Sequence, residues 1–170
     1  MIAAVPIVDV FCYAGQRVRA TWCPAPWRPP LSLVSQCSGL CYTADGQMVL
    51  VSKDGCVWAL PGGHLEADET LEQALRREVR EEVCATITDL AYLGCQQIEE
   101  AGAHAYYQAR FWARLALDPF APAYEIAARR VLAPEDVPAM LGWHSSILTH
   151  LLMLAADCAQ RHPLPSGDVQ

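Results

Sequence analysis

The chain has 170 residues, and its 12 Lys and Arg residues against 19 Asp and Glu residues give a formal net charge of −7. A chain of this length suits one domain with a sizeable core, and the hydrophobic fraction of 53% argues against a disordered protein. The acidic balance argues against a nucleic-acid polymer or an anionic membrane as partner. If this protein handles phosphate groups, the positive charge must come from elsewhere.

The first 32 residues differ in character from the rest. A β-prone stretch from Val5 to Tyr13 and a second from Arg17 to Trp22 are separated by a turn at Gly15, which predicts a hairpin. Residues 23–30 contain four prolines, which favour neither a helix nor a central strand. We therefore predict an N-terminal arm or hairpin with a proline-rich connector over residues 1–32. A polyproline ligand for an aromatic-lined domain is the alternative interpretation of the connector.

Residues 33–162 predict a single α/β domain, followed by a polar tail over 163–170. An Asp-Gly turn at 45–46 separates the first two predicted strands of this domain. The predicted strands are 33–42, 47–52, 56–60, 86–92, 104–115 and 125–132. The predicted helices are 70–83, 134–141 and 143–160.

Localisation and assembly are only weakly marked in the sequence. The start of the chain lacks a basic region before its apolar residues, and no apolar run approaches the ~20 residues of a membrane-spanning helix. Eight cysteines occur without a C-x-x-C pair, which is typical of reduced, buried thiols. We therefore expect a cytoplasmic protein with no membrane partner. The apolar stripe of the last helix favours core packing, with a homodimer contact as the alternative.

The helix predicted over residues 70–83 has a clear beginning and a broad apolar face. Thr70 followed by Gln73 forms a capping-box pattern at its start. At about 100° per residue, the apolar side chains fall on one face. They are Leu71, Ala74, Leu75, Val79 and Val83.

Three glutamates near the end of this helix depart from the amphipathic pattern. Glu78 and Glu82 lie along the apolar stripe, about 6 Å apart, and Glu81 flanks it. Carboxylates at the margin of a core are unfavourable without a counter-charge, or they take up protons. A cation held between them would explain the pattern. The alternative is a solvated acidic helix end in which the arginines of the helix pair with the glutamates.

The helix is preceded by a loop that begins with two glycines and contains three more acidic residues. Pro61-Gly62-Gly63 ends the predicted third strand, and Glu66, Asp68 and Glu69 follow it. Glycine lets the backbone approach a ligand closely. An all-oxygen, carboxylate-rich site suits Mg²⁺ or Mn²⁺ and does not suit zinc.

Together, the loop and helix resemble the signature of the Nudix hydrolases, G-x5-E-x7-R-E-U-x-E-E-x-G-U, where U is aliphatic. Gly63 is followed by Glu69 at the required spacing, and Arg77-Glu78 and Glu81-Glu82 follow at theirs. Six spaced positions agree over 20 residues, which makes the match specific. Two positions depart, because Cys84 stands where the family has glycine and Ala85 replaces a larger aliphatic residue. A glycine there ends the helix in a left-handed conformation that strains cysteine, so the departure concerns helix termination more than catalysis.

The resemblance implies a Nudix-like α/β/α sandwich around a mixed β-sheet. It also implies Mg²⁺-dependent hydrolysis of a small nucleotide substrate in which a nucleoside diphosphate is linked to another moiety. An NTP or dNTP, ADP-ribose and a nucleotide sugar all fit this description, and the sequence does not choose among them. The alternative is a Nudix-fold module that has lost catalysis and binds a nucleotide or a regulatory partner.

The resemblance also assigns roles to individual residues. Glu78, Glu81 and Glu82 become metal ligands and catalytic residues, and one of them becomes the general base. Further metal contacts are assigned to the Gly62 carbonyl and to an acid from a later loop, for which Glu125 is the candidate. Arg77 would orient a glutamate, and Glu69 would form a salt bridge or assist the base. The candidate phosphate-binding residues are Lys53, Arg76 and Arg80.

Overall fold

The structure is a computed structural model that describes residues 6–142 and 145–163. Residues 1–5 of the predicted arm, positions 143–144 of the predicted last helix and residues 164–170 of the predicted tail lie outside the described part. The described residues form eight strands: β1 (Val8–Tyr13), β2 (Gln16–Pro24), β3 (Val34–Tyr42), β4 (Met48–Ser52), β5 (Gly62–Gly63), β6 (Ala85–Glu100), β7 (Tyr106–Leu117) and β8 (Ala128–Leu132).

Three α-helices accompany these strands in the described ranges. They are α1 (Leu71–Glu78), α2 (Val137–Leu141) and α3 (Ser146–Arg161). Helix α1 runs directly into a π-helical turn over Val79–Val83, and short 3₁₀ turns cover Leu31–Leu33 and Pro134–Asp136. None of the described helices is long and apolar enough to cross a membrane.

The strands form one mixed sheet with helices on both faces. The strand order is β1-β2-β6-β7-β3-β4-β8, and β5 pairs with β3 outside that path. Strands β3 and β7 run parallel, whereas the other paired strands are antiparallel. The predicted α/β class with a mixed sheet is therefore confirmed.

Alternating side chains of the central strands divide the core into two layers. Leu50 and Trp112 belong to the cluster that contains α3, whereas Val49 and Phe111 belong to the cluster that contains α1. This separation follows from the period of two in strands. The β1–β2 hairpin joins the sheet through β6, and Val18 and Trp22 of β2 pack in the α3 layer.

Strands β3 and β4 separate soon after the turn that connects them. The only residues that these two strands pair with each other are Tyr42 and Met48, next to the connecting turn. Further along, β3 pairs instead with the short strand β5, and the amide of Gly39 donates to the Pro61 carbonyl at 2.9 Å. This separation places the glycine loop beside the end of α1.

One predicted strand is wrong and another is shorter than predicted. Residues 56–60 contribute only an isolated bridge between Ala59 and Val51. The carboxylate of Asp54 accepts from the amides of Cys56 and Val57, both at 2.8 Å, so these amides close a turn instead of joining a neighbouring strand. The strand predicted over 125–132 begins at Ala128, which leaves Glu125 in the preceding loop.

The prediction of buried thiols is right for only part of the set. All eight cysteines are unpaired. Half of them are buried, whereas Cys12 and Cys56 are exposed and the remaining two are half-buried.

Candidate active site

A cavity of about 550 Å³ opens where β3 and β4 separate. The glycine loop forms one wall, the end of α1 and its π turn form the second, and the loop before β8 forms the third. Its lining residues are Gln36, Lys53, Gly62, Gly63, His64, Leu65, Glu66, Arg77, Glu78, Glu81, Glu82, Tyr124, Glu125 and Ile126. The structure therefore brings together all three predicted glutamates of the helix, together with Gly62 and Glu125.

The two glycines of the loop are required by close contacts. Gly62 has a φ of +145°, and a Cβ there would lie 2.2 Å from the Cys37 carbonyl oxygen. A Cβ on Gly63 would lie 2.4 Å from a carboxylate oxygen of Glu78. A side chain at Gly62 would collide with the backbone of β3, and one at Gly63 would displace the carboxylate of Glu78, so the backbone of the loop lies directly against both.

Glu82 is a partly buried carboxylate held by the glycine loop. The Gly62 amide donates to its Oε2 at 2.9 Å. Among the described residues, no Lys, Arg or His lies within ion-pair distance of this carboxylate. Burial, reinforced by the neighbouring charge of Glu78 and opposed by the Gly62 hydrogen bond, raises the pKa of Glu82 to about 7.

Arg77 organises the acids around the cavity. Its Nε and Nη2 atoms donate to the two carboxylate oxygens of Glu69 at 2.8 and 3.0 Å, and Nη2 also donates to the His64 carbonyl at 3.0 Å. Its Nη1 atom donates to Glu78 at 2.9 Å and lies 3.5 Å from a carboxylate oxygen of Glu81. The hydrogen bonds from Arg77 hold the pKa of Glu69 below its ordinary value. Arg77 therefore ties the glycine loop to the helix.

The π turn after α1 was not predicted from the sequence, and it carries two of the three glutamates. It contains Glu81 and Glu82 and ends at Cys84, which has φ 54° and ψ 61°. Cys84 therefore adopts the left-handed conformation expected for the family glycine at this position. The end of the turn is held from outside, because Arg129 Nη1 donates to the Val83 carbonyl at 2.7 Å. π-Helical turns inside helices are frequent at functional sites because they shift side chains relative to the regular period.

Lys53 and Glu125 lie at the cavity mouth and form an ion pair with each other. Both side chains are mostly exposed, at 66% and 75%. Their positions suit the predicted roles of Lys53 in binding phosphate and of Glu125 in binding metal. In this structure, however, the two side chains pair with each other. Both assignments stay predictions.

Arg76 and Arg80 are not brought to the cavity. Arg76 donates to the Ile87 carbonyl of β6 at 2.9 Å, and Arg80 is exposed and does not line the cavity. The geometry gives no support to their assignment as phosphate-binding residues, which stays a prediction.

The donor set fits a hard divalent cation. The available ligands are carboxylate and backbone oxygens, and the partly buried Glu82 lacks a cationic partner in the described part of the chain. Within residues 6–142 and 145–163, no three His, Cys, Asp or Glu side chains already converge as a coordinating group. Arg77 donates to one carboxylate oxygen of Glu78 and Gly62 donates to one of Glu82, which leaves the second oxygen of each carboxylate available to an ion.

Sequence reasoning missed several residues of this cavity. Gln36 lies on β3, and Tyr124 precedes β8 with a positive φ of 54°. Gln36 is the bulkiest polar residue of its strand, which was an available signal. Nothing in the local sequence indicated that Tyr124 would approach the glutamates.

Comparison with known proteins gives a consistent result. A family model described as the NUDIX domain matches residues 37–151, which is more than half of the chain. The chain is 46% identical over 55 residues to a MutT-like protein of Streptomyces ambofaciens, covering 32% of this chain and 35% of that relative. It is also 46% identical over 54 residues to nucleoside triphosphatase NudI of Salmonella schwarzengrund (strain CVM19633), covering 32% of this chain and 36% of that relative.

The matched segment thus spans about a third of the length of these curated relatives. Among solved structures, the pyrophosphohydrolase BsRppH of Bacillus subtilis, determined as a mutant, superimposes with a TM-score of 0.68. That comparison covers 89% of this chain and 98% of the other at 20% identity. At this identity the similarity establishes the fold.

Proposed function

The chain belongs to the Nudix family, and on that premise we propose that it is a divalent-cation-dependent pyrophosphohydrolase. Its substrate would be a small nucleotide in which a nucleoside diphosphate is linked to another moiety. An NTP or dNTP, ADP-ribose and a nucleotide sugar remain the candidates. We expect Mg²⁺ or Mn²⁺ as the cofactor, a cytoplasmic location, and no nucleic-acid polymer or membrane as partner.

The observation that carries this proposal is the environment of Glu82. A carboxylate that is partly buried without a cationic partner is unfavourable in a purely structural role. Glu78 and Glu81 face the same cavity, so negative charge accumulates in one place. This arrangement is favourable when a cation and an anionic substrate bind together, which also answers how an acidic protein could handle phosphate.

The residues of the chain would divide the chemistry among them. Glu78, Glu81 and Glu82 would hold the cation, with the Gly62 backbone oxygen and Glu125 as further contacts. When bound, such an ion neutralises pyrophosphate oxygens and lowers the pKa of a coordinated water. Arg77 would fix the orientation of Glu78 while Glu69 fixes Arg77. A glutamate of the cluster would accept the proton of the attacking water.

A binding module without catalytic activity is the second candidate. Glu78 is engaged by Arg77 at 2.9 Å, and Cys84 occupies a left-handed position that glycine would adopt without strain. Both features would persist in a module that binds nucleotides without turning them over. The apolar stripe of α3 packs in the core, where Leu148, Leu151 and Ala155 are at most 1% exposed, so a homodimer would have to use another surface.

A turnover assay separates the two candidates. Purified protein is incubated with a panel of nucleoside triphosphates, ADP-ribose and nucleotide sugars, with and without Mg²⁺, and released phosphate and monophosphate are measured. We expect hydrolysis that requires the cation and is abolished by Glu82→Gln with an unchanged circular dichroism spectrum. Glu135→Gln serves as the matched control, because Glu135 is exposed and does not line the cavity.

Retained turnover in Glu82→Gln would contradict the role of this residue. Saturable nucleotide binding by the unmodified protein without turnover of any substrate would favour the binding module.

A further inference from the structure

Two cysteines face each other across the strand pair that joins the N-terminal hairpin to the rest of the sheet. Cys23 of β2 is the register partner of Cys95 of β6. The Cα atoms of directly paired residues in antiparallel strands lie about 4.5–5.5 Å apart. Disulfides bridge Cα separations of about 4.4–6.8 Å. The backbone spacing therefore already suits a bond between these two residues.

Both cysteine side chains project from the α1 side of the sheet. Trp22 packs in the α3 layer, so Cys23, which follows it in β2, points to the opposite side. Ala109 of β7, the register partner of Cys95, belongs to the α1 layer. Because paired residues of neighbouring strands project from the same face, the two thiols point the same way.

The two thiols differ in exposure. Cys23 is half-buried, and its Sγ atom makes a weak contact of 3.9 Å with the Thr21 carbonyl. Cys95 is 0% exposed. Burial, opposed by the Tyr92 hydroxyl and reinforced by the Cys23 thiol, raises the pKa of Cys95 to about 11. A small oxidant therefore reaches Cys23 first and finds Cys95 beside it as a protonated thiol.

Cys37 and Cys12 are too far from this pair to compete for the bond. Cys37 lies on the same side of the sheet, but Ala109 stands between it and Cys95 in the register. Two strand spacings of about 4.8 Å exceed the Cα separation of about 7 Å beyond which cysteines cannot be bridged. Cys12 pairs with Arg17, at the opposite end of β2 from Cys23.

The N-terminal hairpin is attached to the described part of the chain through non-covalent contacts. Strand β2 pairs with β6, whereas β1 forms the edge of the sheet. Asp9 of β1 accepts from the amides of Ser146 and Ile147 at 2.9 and 3.0 Å, at the start of α3. Elements held by few contacts at an edge open locally more readily than the centre of a sheet. A covalent link at the β2–β6 junction would suppress this opening.

We propose that Cys23 and Cys95 form a reversible disulfide when the protein meets a peroxide, and that this bond fastens the N-terminal hairpin to the sheet. The Cys23 thiolate attacks one oxygen of hydrogen peroxide and becomes a sulfenic acid as the O–O bond breaks. The other oxygen leaves as hydroxide and takes up the proton that the Cys23 thiol released, which gives water.

The second step closes the disulfide. The Cys95 sulfur attacks the Cys23 sulfur, the S–O bond breaks, and the oxygen leaves with the Cys95 proton as a second water. The two thiols together lose two electrons, which reduce the peroxide to two waters. A dithiol reverses the reaction by thiol–disulfide exchange and is itself oxidised to a disulfide.

Peptide mapping tests whether this bond forms. The reduced protein is treated briefly with a small excess of hydrogen peroxide, which catalase then removes, and free thiols are alkylated under denaturing conditions. Digestion without reduction, followed by tandem mass spectrometry, locates any disulfide. We expect a peptide pair joined through Cys23 and Cys95 that dithiothreitol separates.

Three variants identify the cysteines responsible. Cys23→Ser and Cys95→Ala should each abolish the bond. Alanine is chosen at the buried position because it introduces no unpaired polar group. Cys12→Ser is the matched control, because Cys12 is an exposed thiol of the same hairpin, and the bond should form in it as in the unmodified protein.

Hydrogen exchange measures whether the bond fastens the hairpin. After oxidation the amides of β2 should exchange about tenfold or more slowly than in the reduced protein, because the cross-link restricts local opening. The same treatment should leave their exchange unchanged in Cys95→Ala.

Two results would overturn the proposal. One is oxidation that leaves Cys23 as a sulfinic acid or joins other cysteines in place of this pair. The other is unchanged exchange of β2 in protein whose Cys23–Cys95 bond has formed. None of these measurements depends on nucleotide hydrolysis, so the outcome is independent of the proposed function.

Discussion

Replacing Cys84 with glycine is expected to make the protein more stable. Cys84 ends the π turn with φ 54° and ψ 61°, a conformation that is unfavourable for a residue with a Cβ. The only side-chain hydrogen bond of Cys84 in the described structure is a contact of 3.4 Å from Sγ to the Ala121 carbonyl. The substitution therefore removes backbone strain and little else.

The size of the effect follows from three contributions to the free energy of unfolding. Left-handed geometry costs a non-glycine residue about 1–2 kcal/mol. Glycine lowers the gain by about 0.4–1 kcal/mol because it has greater conformational freedom in the unfolded chain. Loss of the weak thiol contact lowers the gain by about a few tenths of a kcal/mol more. From the middle of each range the net gain is about 0.5 kcal/mol, which corresponds to about 1–2 °C in melting temperature for a chain of this size.

Urea unfolding followed by circular dichroism measures this gain, and a thermal melt provides the second value. Gly142→Ala is the reciprocal control at another helix end. Gly142 caps α2 with φ 70° and has open space where a Cβ would lie, so alanine there should lose about 1 kcal/mol through backbone strain alone. A Cys84→Gly variant that is less stable than the unmodified protein would refute the reasoning.

Three further changes test the site. Gly63→Ala places a Cβ 2.4 Å from a carboxylate oxygen of Glu78 and should displace that carboxylate. Nucleotide hydrolysis should then fall by about a hundredfold with little change in the melting temperature. Unchanged turnover would contradict the importance of the position of Glu78. Arg129→Ala removes the donor to the Val83 carbonyl and should lower the free energy of unfolding, measured by urea denaturation, by about 1–3 kcal/mol. Unaltered stability would mean that the end of the π turn needs no hydrogen bond from outside the turn. In EDTA, Glu82→Gln should raise the free energy of unfolding by about 1–3 kcal/mol at about pH 8 and by much less at about pH 4, because a carboxyl whose pKa is raised to about 7 in the folded protein costs stability progressively as the pH rises from its ordinary pKa of about 4.5 to about 7. A gain of equal size at both pH values, measured by thermal melts, would exclude that cause.

Periodicity in the sequence predicted that Glu78 and Glu82 lie on the apolar stripe of the helix with a cation between them. Both residues line one cavity, and the cation itself stays a prediction. The left-handed conformation of Cys84 was anticipated from its place after the helix. These are local properties, set by residues within a few turns of one another.

Features that depend on distant partners could not be predicted. Residues 56–60 have strand-like composition, but the carboxylate of Asp54 takes up two of their amides in a turn. Arg110 lies in a stretch that reads as an ordinary strand, and its unpaired Nε atom becomes evident only once β3 and β6 flank β7. The end of the π turn likewise accepts a hydrogen bond from Arg129, which lies far along the chain.

The pairing of β2 with β6 has a consequence for how the chain folds. Val18 lies opposite Glu100, so during synthesis the β1–β2 hairpin cannot pair with the rest of the sheet until β6 has emerged from the ribosome. The parallel pairing of β3 with β7 imposes a similar delay, and sheets dominated by such non-local pairs fold slowly, on the order of milliseconds to seconds. In that interval the inner edge of the hairpin is unpaired, and it offers free backbone groups to any other extended chain. The edge of the hairpin that β6 later covers is therefore a place where the nascent protein is exposed to misassembly.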